Sequence, residues 1–205
     1  MTKRINAKKK ISRKLGASIW GAPKDPFNKR SYKPGHHGAN LRTRNTDYGL
    51  QLKAKQKLKF YYGNISEKQF RNLFKLAAKT KGDTSENFIS LLERRLDTVI
   101  YRANFVNTVF AARQFINHKH VLVNGKVVNI PSYRLKIGDV VQVREKSQNL
   151  TIVIEALQKK ERDIPTYLDV SADNKTAKVI ANPVFAEVPY SCPMELNLIT
   201  EYYSR

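Results

Sequence analysis

One cysteine in 205 residues, Cys192, leaves no internal disulfide framework and no Cys-rich zinc site to hold a fold together. A reducing compartment fits that usage. No apolar run approaches the about 18 residues of a membrane span, so no membrane partner is expected. The N-terminus carries no apolar core of a secretory signal, and its lysine-rich start is expected to run on into the folded part. Acid is scarce too: 17 Asp and Glu stand against 38 Lys and Arg, a net charge of +21. The chain has no Walker loop, nucleophile elbow, His-Glu-x-x-His helix or spaced carboxylate pair, which removes the common signatures of nucleotide hydrolysis, acyl transfer and metalloproteolysis. What is present is 41% apolar residues, enough for a packed core. A charge this large repels itself unless a polyanion meets it, and nucleic acid is the default polyanion.

The charge is graded. Residues 1–44 sum to +12, residues 45–95 to +6, residues 96–147 to +5 and residues 148–205 to −2. The first segment shows no helical or strand period; Pro23, Pro26, Pro34, Gly16, Gly21, Gly35 and Gly38 cut it into turns, and Trp20, Phe27 and Tyr32 interrupt its basic residues. It reads as an extended segment that orders when phosphates neutralise it, with Lys8, Lys9, Lys10, Arg13, Arg42 and Arg44 as candidate contacts. His36 and His37 are adjacent and cannot easily share one metal, and no Cys/His partner spacing follows; they are placed in a glycine turn near backbone phosphates.

Helical periods follow. Thr46 or Asp47 caps a helix towards Tyr62 with Leu50, Ala54, Leu58 and Tyr61 on one face, while Lys53, Lys55, Lys57 and Lys59 present charge uninterrupted by acid. Ser66 with Gln69 forms a capping box for a helix whose buried stripe is Phe70, Leu73, Phe74, Ala77 and Ala78. Asp83, Thr84 or Ser85 opens the next, with Phe88, Leu91, Leu92 and Leu96 inward. Leu96, Val99, Ile100 and Ala103 continue an apolar stripe, and Arg95 and Arg102, seven apart, share another face. Thr108 caps Val109 to Lys119, with Arg113 and His120 as polar outliers. The period then changes to two around Asn124-Gly125, the strongest short hairpin signal, and Val140, Val141 and Val143 form a later strand.

Two small helices followed by a twisted hairpin resemble the S-four RNA-binding domain. The elements that carry the likeness are Arg95-Leu96-Asp97, Arg102, Thr108, Ala112-Arg113-Gln114, His118, His120, Val123-Asn124-Gly125, Ile130-Pro131-Ser132 and Gly138-Asp139. Lys33-Pro34-Gly35-His36-His37-Gly38, Asp47-Tyr48-Gly49, the run Leu52 to Lys57, Glu67-Lys68-Gln69-Phe70-Arg71, Pro165 to Leu168 and the stretch Glu201 to Arg205 extend it to the small-subunit ribosomal protein S-four family, most like alphaproteobacterial forms, with organellar relatives similar. Departures are Lys119 where a glycine often separates the two histidines, Asn107 for a frequent proline, and no N-terminal cysteine cluster for zinc, so no metal or other cofactor is carried over.

The resemblance implies an α+β fold: an extended basic segment 1–44, a helical body 45–93, the RNA-binding domain 94–147, and a segment 148–205 packing on the body. It adds Gln56, Arg71, Gln114, His118, Asn124 and Arg134 to the RNA-facing candidates beside Lys53, Lys55, Lys57, Arg95, Arg102, Thr108, Arg113 and His120. It further implies binding to the five-prime domain of small-subunit rRNA, nucleation of subunit assembly, and contacts with ribosomal proteins S-five and S-three beside mRNA where it enters the subunit. Translational accuracy would follow from those contacts, in a bacterial cytoplasmic or an organellar ribosome. An RNA-modifying enzyme using the same domain for targeting would need a catalytic domain that residues 1–93 and 148–205 do not show. A general basic chromatin-like binder would lack the ordered helix–hairpin unit. Tyr202 and Tyr203 are expected either to anchor a protein contact or to pin the C-terminal segment to the core.

Overall fold

A computed structural model describes residues 7–40, 46–159, 162–171, 173 and 175–204, with the backbone alone for Lys8. Arg42 and Arg44 lie outside the described residues. In chain order the elements are helices α1 Lys8–Leu15, α2 Pro26–Lys29, α3 Asp47–Tyr61, α4 Glu67–Lys79, α5 Thr84–Glu93, α6 Leu96–Arg102 and α7 Val109–Asn117, strands β1 Val121–Val123, β2 Lys126–Val127 and β3 Val140–Val143, helix α8 Thr151–Lys159, strands β4 Leu168–Val170 and β5 Thr176–Val179, and helix α9 Leu196–Ser204. They group into two compact units, residues 1–70 with 190–205, and residues 71–189. These units cut the chain elsewhere than the sequence reading does, at 70/71 and 189/190 rather than at 44, 93 and 147.

In the first unit the N-terminal segment is not extended, as the sequence reading expects it to be. Ile11 and Leu15, four apart, are buried, so α1 forms as a short amphipathic helix whose lysines Lys9, Lys10 and Lys14 face out; Ile19 is buried just beyond the Gly16 cap. Dense lysine and glycine hide so short a stripe in the sequence. Asp25 caps α2 by accepting from the Phe27 amide at 3.0 Å, and the Trp20 indole donates to the Tyr61 carbonyl at 3.3 Å. Thr46 caps α3, accepting from the Gly49 amide at 3.2 Å. The buried stripe of α3 is Gln51, Ala54, Lys55, Leu58, Phe60 and Tyr61; Leu50, expected inside, is exposed. The reason is α9, which packs along α3 and supplies Glu201 to the Gln51 amide at 3.0 Å. A polar partner from so far along the chain leaves no trace in local periodicity.

In the second unit Asp83 is the residue that caps α5, and Thr108 caps α7 by accepting from the Ala111 amide at 3.1 Å. Phe74 and Ala77 of α4 are buried, Phe74 edge-on to Phe88 with centroids 5.4 Å apart, while Ala78, expected inside, is exposed. The sheet is antiparallel throughout, in the order β2-β1-β3-β5-β4. Asn124 and Gly125 both take positive φ, +49° and +77°, and close β1 onto β2 with Val123 opposite Lys126. Val121, Val123, Val141, Val143, Ala177 and Val179 alternate inward as one buried face. The sequence reading has the hairpin and β3 but not β4 and β5. These two strands come from the segment assigned to the body; β5 pairs with β3, Val141 opposite Ala177. Residues 148–189 therefore belong with the second unit, and only residues 190–204 of that segment share the first.

Candidate nucleic-acid interface

The α6–α7–hairpin region is built around arginines that point inward. Arg95 is 2% exposed and grips Asp97 with two bonds, Nε to Oδ1 at 3.0 Å and Nη2 to Oδ2 at 2.8 Å. Arg102 is 1% exposed and grips Glu93 in the same way, at 3.1 and 2.9 Å, and donates a third bond to the Pro189 carbonyl at 3.0 Å. The Tyr167 hydroxyl donates to Glu93 as well, at 2.6 Å. Arg95 and Arg102 are thus withdrawn from the RNA-facing set: two buried bidentate pairs satisfy the charge that the sequence reading assigns to phosphate. Nor do they share a helix face, because Arg95 is the N-cap residue of α6 and pairs its backbone with Arg134. Arg113 is buried on α7 with Nε 3.7 Å from the same Asp97, so its first contact is within the protein too.

What this frame presents outward is a smaller set. Gln114 and His118 are exposed on and just after α7, Thr108 is exposed at its start, and Arg134 is exposed on the loop that pairs with Arg95. Lys119, Lys126, Lys136 and Arg144 are also exposed around the hairpin and are not among the RNA-facing candidates of the sequence reading; their charge alone was the available signal. His120 lies half-buried between Phe115, centroids 4.9 Å apart, and the Ser147 hydroxyl, 2.8 Å from Nδ1. Burial first, then the nearby His118 and Arg144, lower its pKa from the ordinary histidine value and so favour the uncharged ring. Asn124 is exposed but committed: its amide donates to Asp139 at 2.9 Å and its oxygen accepts from the Val140 amide at 2.9 Å.

In the first unit Lys9 and Lys10 are exposed on α1. Arg13 donates to the carbonyls of Tyr32 and Lys33 at 3.1 and 3.2 Å and lies 4.6 Å above the Tyr32 ring, which ties α1 to the Gly35–Gly38 turn. That turn requires glycine at 38, where a Cβ would collide with the Lys33 carbonyl oxygen. His36 and His37 stand exposed on it, edge to face at 4.9 Å. Lys53 is exposed with its ammonium beside Gly16, where an added Cβ would meet Nζ at 3.4 Å, at the C-terminal end of α1 where a cation suits the helix dipole. Gln56 and Lys57 are half-buried, and Lys57 donates to the Pro193 carbonyl at 3.1 Å.

Lys55 is a further correction. It is 5% exposed, 2.8 Å from the Glu67 carboxylate, 3.2 Å from the Tyr202 hydroxyl and 4.2 Å from the centre of the Tyr202 ring. Burial pushes its pKa down, but hydrogen bonds to Glu67 and Tyr202 outweigh that and leave it raised, so the ammonium persists inside the fold rather than on RNA. The acid that α3 lacks arrives from α4. Arg71 is exposed on α4. Cys192 is buried, which pushes its thiol pKa up, away from the reactive thiolate. Among the described residues no group of three His, Cys, Asp or Glu is placed to hold a metal, and no helix is long and apolar enough to cross a membrane.

Comparison with known proteins matches this arrangement along its length. The family model described as the ribosomal protein S4/S9 N-terminal domain matches residues 3–93, and that of the S4 domain matches residues 94–141. The small ribosomal subunit protein uS4 of Parvibaculum lavamentivorans is 58% identical over 205 residues, covering 100% of both chains. Those of Ruegeria pomeroyi and Brucella abortus are 58% and 59% identical over the same 205 residues, again covering 100% of both chains.

Proposed function

Since this chain belongs to the family of small ribosomal subunit protein uS4, structural and not enzymatic, we propose that it binds small-subunit rRNA directly, in the five-prime domain, and nucleates assembly of the subunit body there. Its ribosomal structural role follows from the family; the rRNA contact is our reading. The observation that carries it is the sorting of side chains: Lys55, Arg95 and Arg102, each paired with a carboxylate, are buried, whereas Lys9, Lys10, Lys53, Arg71 and Arg134 are exposed cations, with His36, His37, Gln114 and His118 exposed beside them and Arg13 half-buried. Lys8, Arg42 and Arg44 join them on charge, and Gln56, Lys57 and Thr108 at their edges. Such groups release counterions from phosphates and read backbone shape and 2′-hydroxyls more than base sequence. Contacts with ribosomal proteins S-five and S-three beside the incoming mRNA, and an effect on accuracy, belong to the same proposal and rest on the family resemblance.

The test is binding of the full chain to a five-prime-domain rRNA fragment and to an unrelated duplex of equal length across a KCl series. The fragment is expected to win at every salt concentration, with both affinities falling as salt rises. Equal affinity for the two RNAs would reduce the protein to a general polycation and overturn the reading.

A further inference from the structure

The structure assigns a second RNA-backbone surface to α4, formed by Arg71, Lys75 and Lys79 and continued by Lys81, and its partner is the phosphate backbone of a double-helical rRNA segment. The assignment rests on the reading above that the chain binds rRNA, and it locates a contact which that reading leaves open.

Residues four apart stack along one face of a helix, roughly 6 Å from one to the next, so the three helical cations form a straight row. All four are exposed, and among the described residues none is paired with a carboxylate or donates to a neighbouring side chain. Lys55, Arg95 and Arg102 are each met by a carboxylate; this row is not, and it is left to solvent or to an anion from outside. The row is also held still. Phe74 and Ala77, on the opposite face of α4, are buried, and the turn after the helix is closed by Asn87, whose amide donates to the carbonyls of Thr80 and Lys81 at 3.2 Å each. The two acids that follow are turned to backbone amides: Asp83 accepts from Glu86 at 3.2 Å and Glu86 from Phe185 at 2.9 Å.

The face tells what kind of polyanion fits. Its cations are interleaved with Asn72 and Leu76, and no aromatic side chain is exposed along it, so it offers no platform for stacking the bases of a single strand. The apolar face of α4 is already used in the core, which leaves Leu76 alone on the outer face, too little to insert into a lipid surface. A regular line of phosphates is what remains, and double-helical RNA presents one.

The test uses the full chain carrying R71Q, K75Q and K79Q together, beside a charge-matched control with K159Q, K175Q and K178Q, on the five-prime-domain rRNA fragment across a KCl series. The α4 variant is expected to flatten the log–log salt slope by about 2 to 3, near 0.9 for each duplex phosphate released, and the control to leave it near that of the parent. A slope unchanged in the α4 variant, or flattened equally in both, overturns the assignment. So does an α4 variant that loses binding to anionic lipid vesicles while keeping its RNA slope. K75Q alone, expected to flatten the slope by about 1, supplies the readout if the triple variant does not fold. A parent that fails to prefer the fragment overturns the proposed function itself, and this surface with it.

Discussion

Lys119 stands at φ +63°, just past the His118 cap of α7, in the left-handed region where a Cβ crowds the following carbonyl. Among the described residues nothing pairs with its ammonium to offset this. Lys119→Gly is therefore expected to raise stability by about 0.5–1 kcal/mol, the relief of strain less the added freedom of the unfolded chain, read as a higher urea midpoint at unchanged slope. The resemblance marks this as a glycine position; only the dihedral says why. Arg102 makes the opposite case. Arg102→Met leaves Glu93 buried with both of the charged bonds it accepts from Arg102 gone, and is expected to cost about 3–5 kcal/mol, while the folded fraction binds rRNA as the parent does. A variant of parental stability with lost RNA affinity would return Arg102 to the interface. Sequence shows that Arg95 and Arg102 are charged and regularly spaced, but Asp97 and Glu93 look like surface acids until the fold closes over them. Burial decides whether an arginine greets phosphate or carboxylate, and burial is not a local property.

At the scale of elements, the α3–α9 pairing turns on one carboxylate. Burial raises the Glu67 pKa, yet hydrogen bonds from Lys55, Lys59 and Tyr203 together bring it below the ordinary glutamate value. A folded pKa below the unfolded one means the unfolded chain takes up the proton first as pH falls. The stabilisation is therefore complete above the ordinary glutamate range and lost as pH drops through the folded value. Glu67 is 47% exposed, so solvent screening holds the effect below about 1 kcal/mol. Glu67→Gln is expected to flatten the acid limb of the stability–pH curve; a variant with an unaltered limb would show that this carboxylate is not coupled to folding. Among elements, the capped helices and the Asn124-Gly125 hairpin were legible because their signals are local: a cap, a period, a turn pair. The register of α3 against α9 and the pairing of β5 with β3 were not. Gln51, Lys55 and Gln142 find their partners in Glu201, Tyr202 and Thr176, and no local pattern announces such distant pairs.

At the scale of the whole molecule, the first unit is assembled from two stretches of chain separated by all of the second. Tyr62 meets Tyr190 hydroxyl to hydroxyl at 2.7 Å, and Ser191 donates to the Ile19 carbonyl at 2.6 Å. A chain stopped before Leu196 is expected to keep slow amide hydrogen exchange in β1, β3 and β5 while losing it in α3; protection retained in α3 would show that α9 is dispensable to that core. The helices, the hairpin and the basic charge were readable from period and composition and the α+β class from the family resemblance, but a core shared by such remote stretches was not, since Ile11, Leu15 and Ile199 are ordinary apolar residues in isolation. The arrangement also sets an order in time. Synthesis delivers α1 and α3 early and α9 only after every residue of the second unit has emerged, whereas β5, the last partner β3 needs, is made before α9. The nascent chain thus carries its most basic stretch on an open core until α9 has emerged, beside the RNA of the machine that is making it.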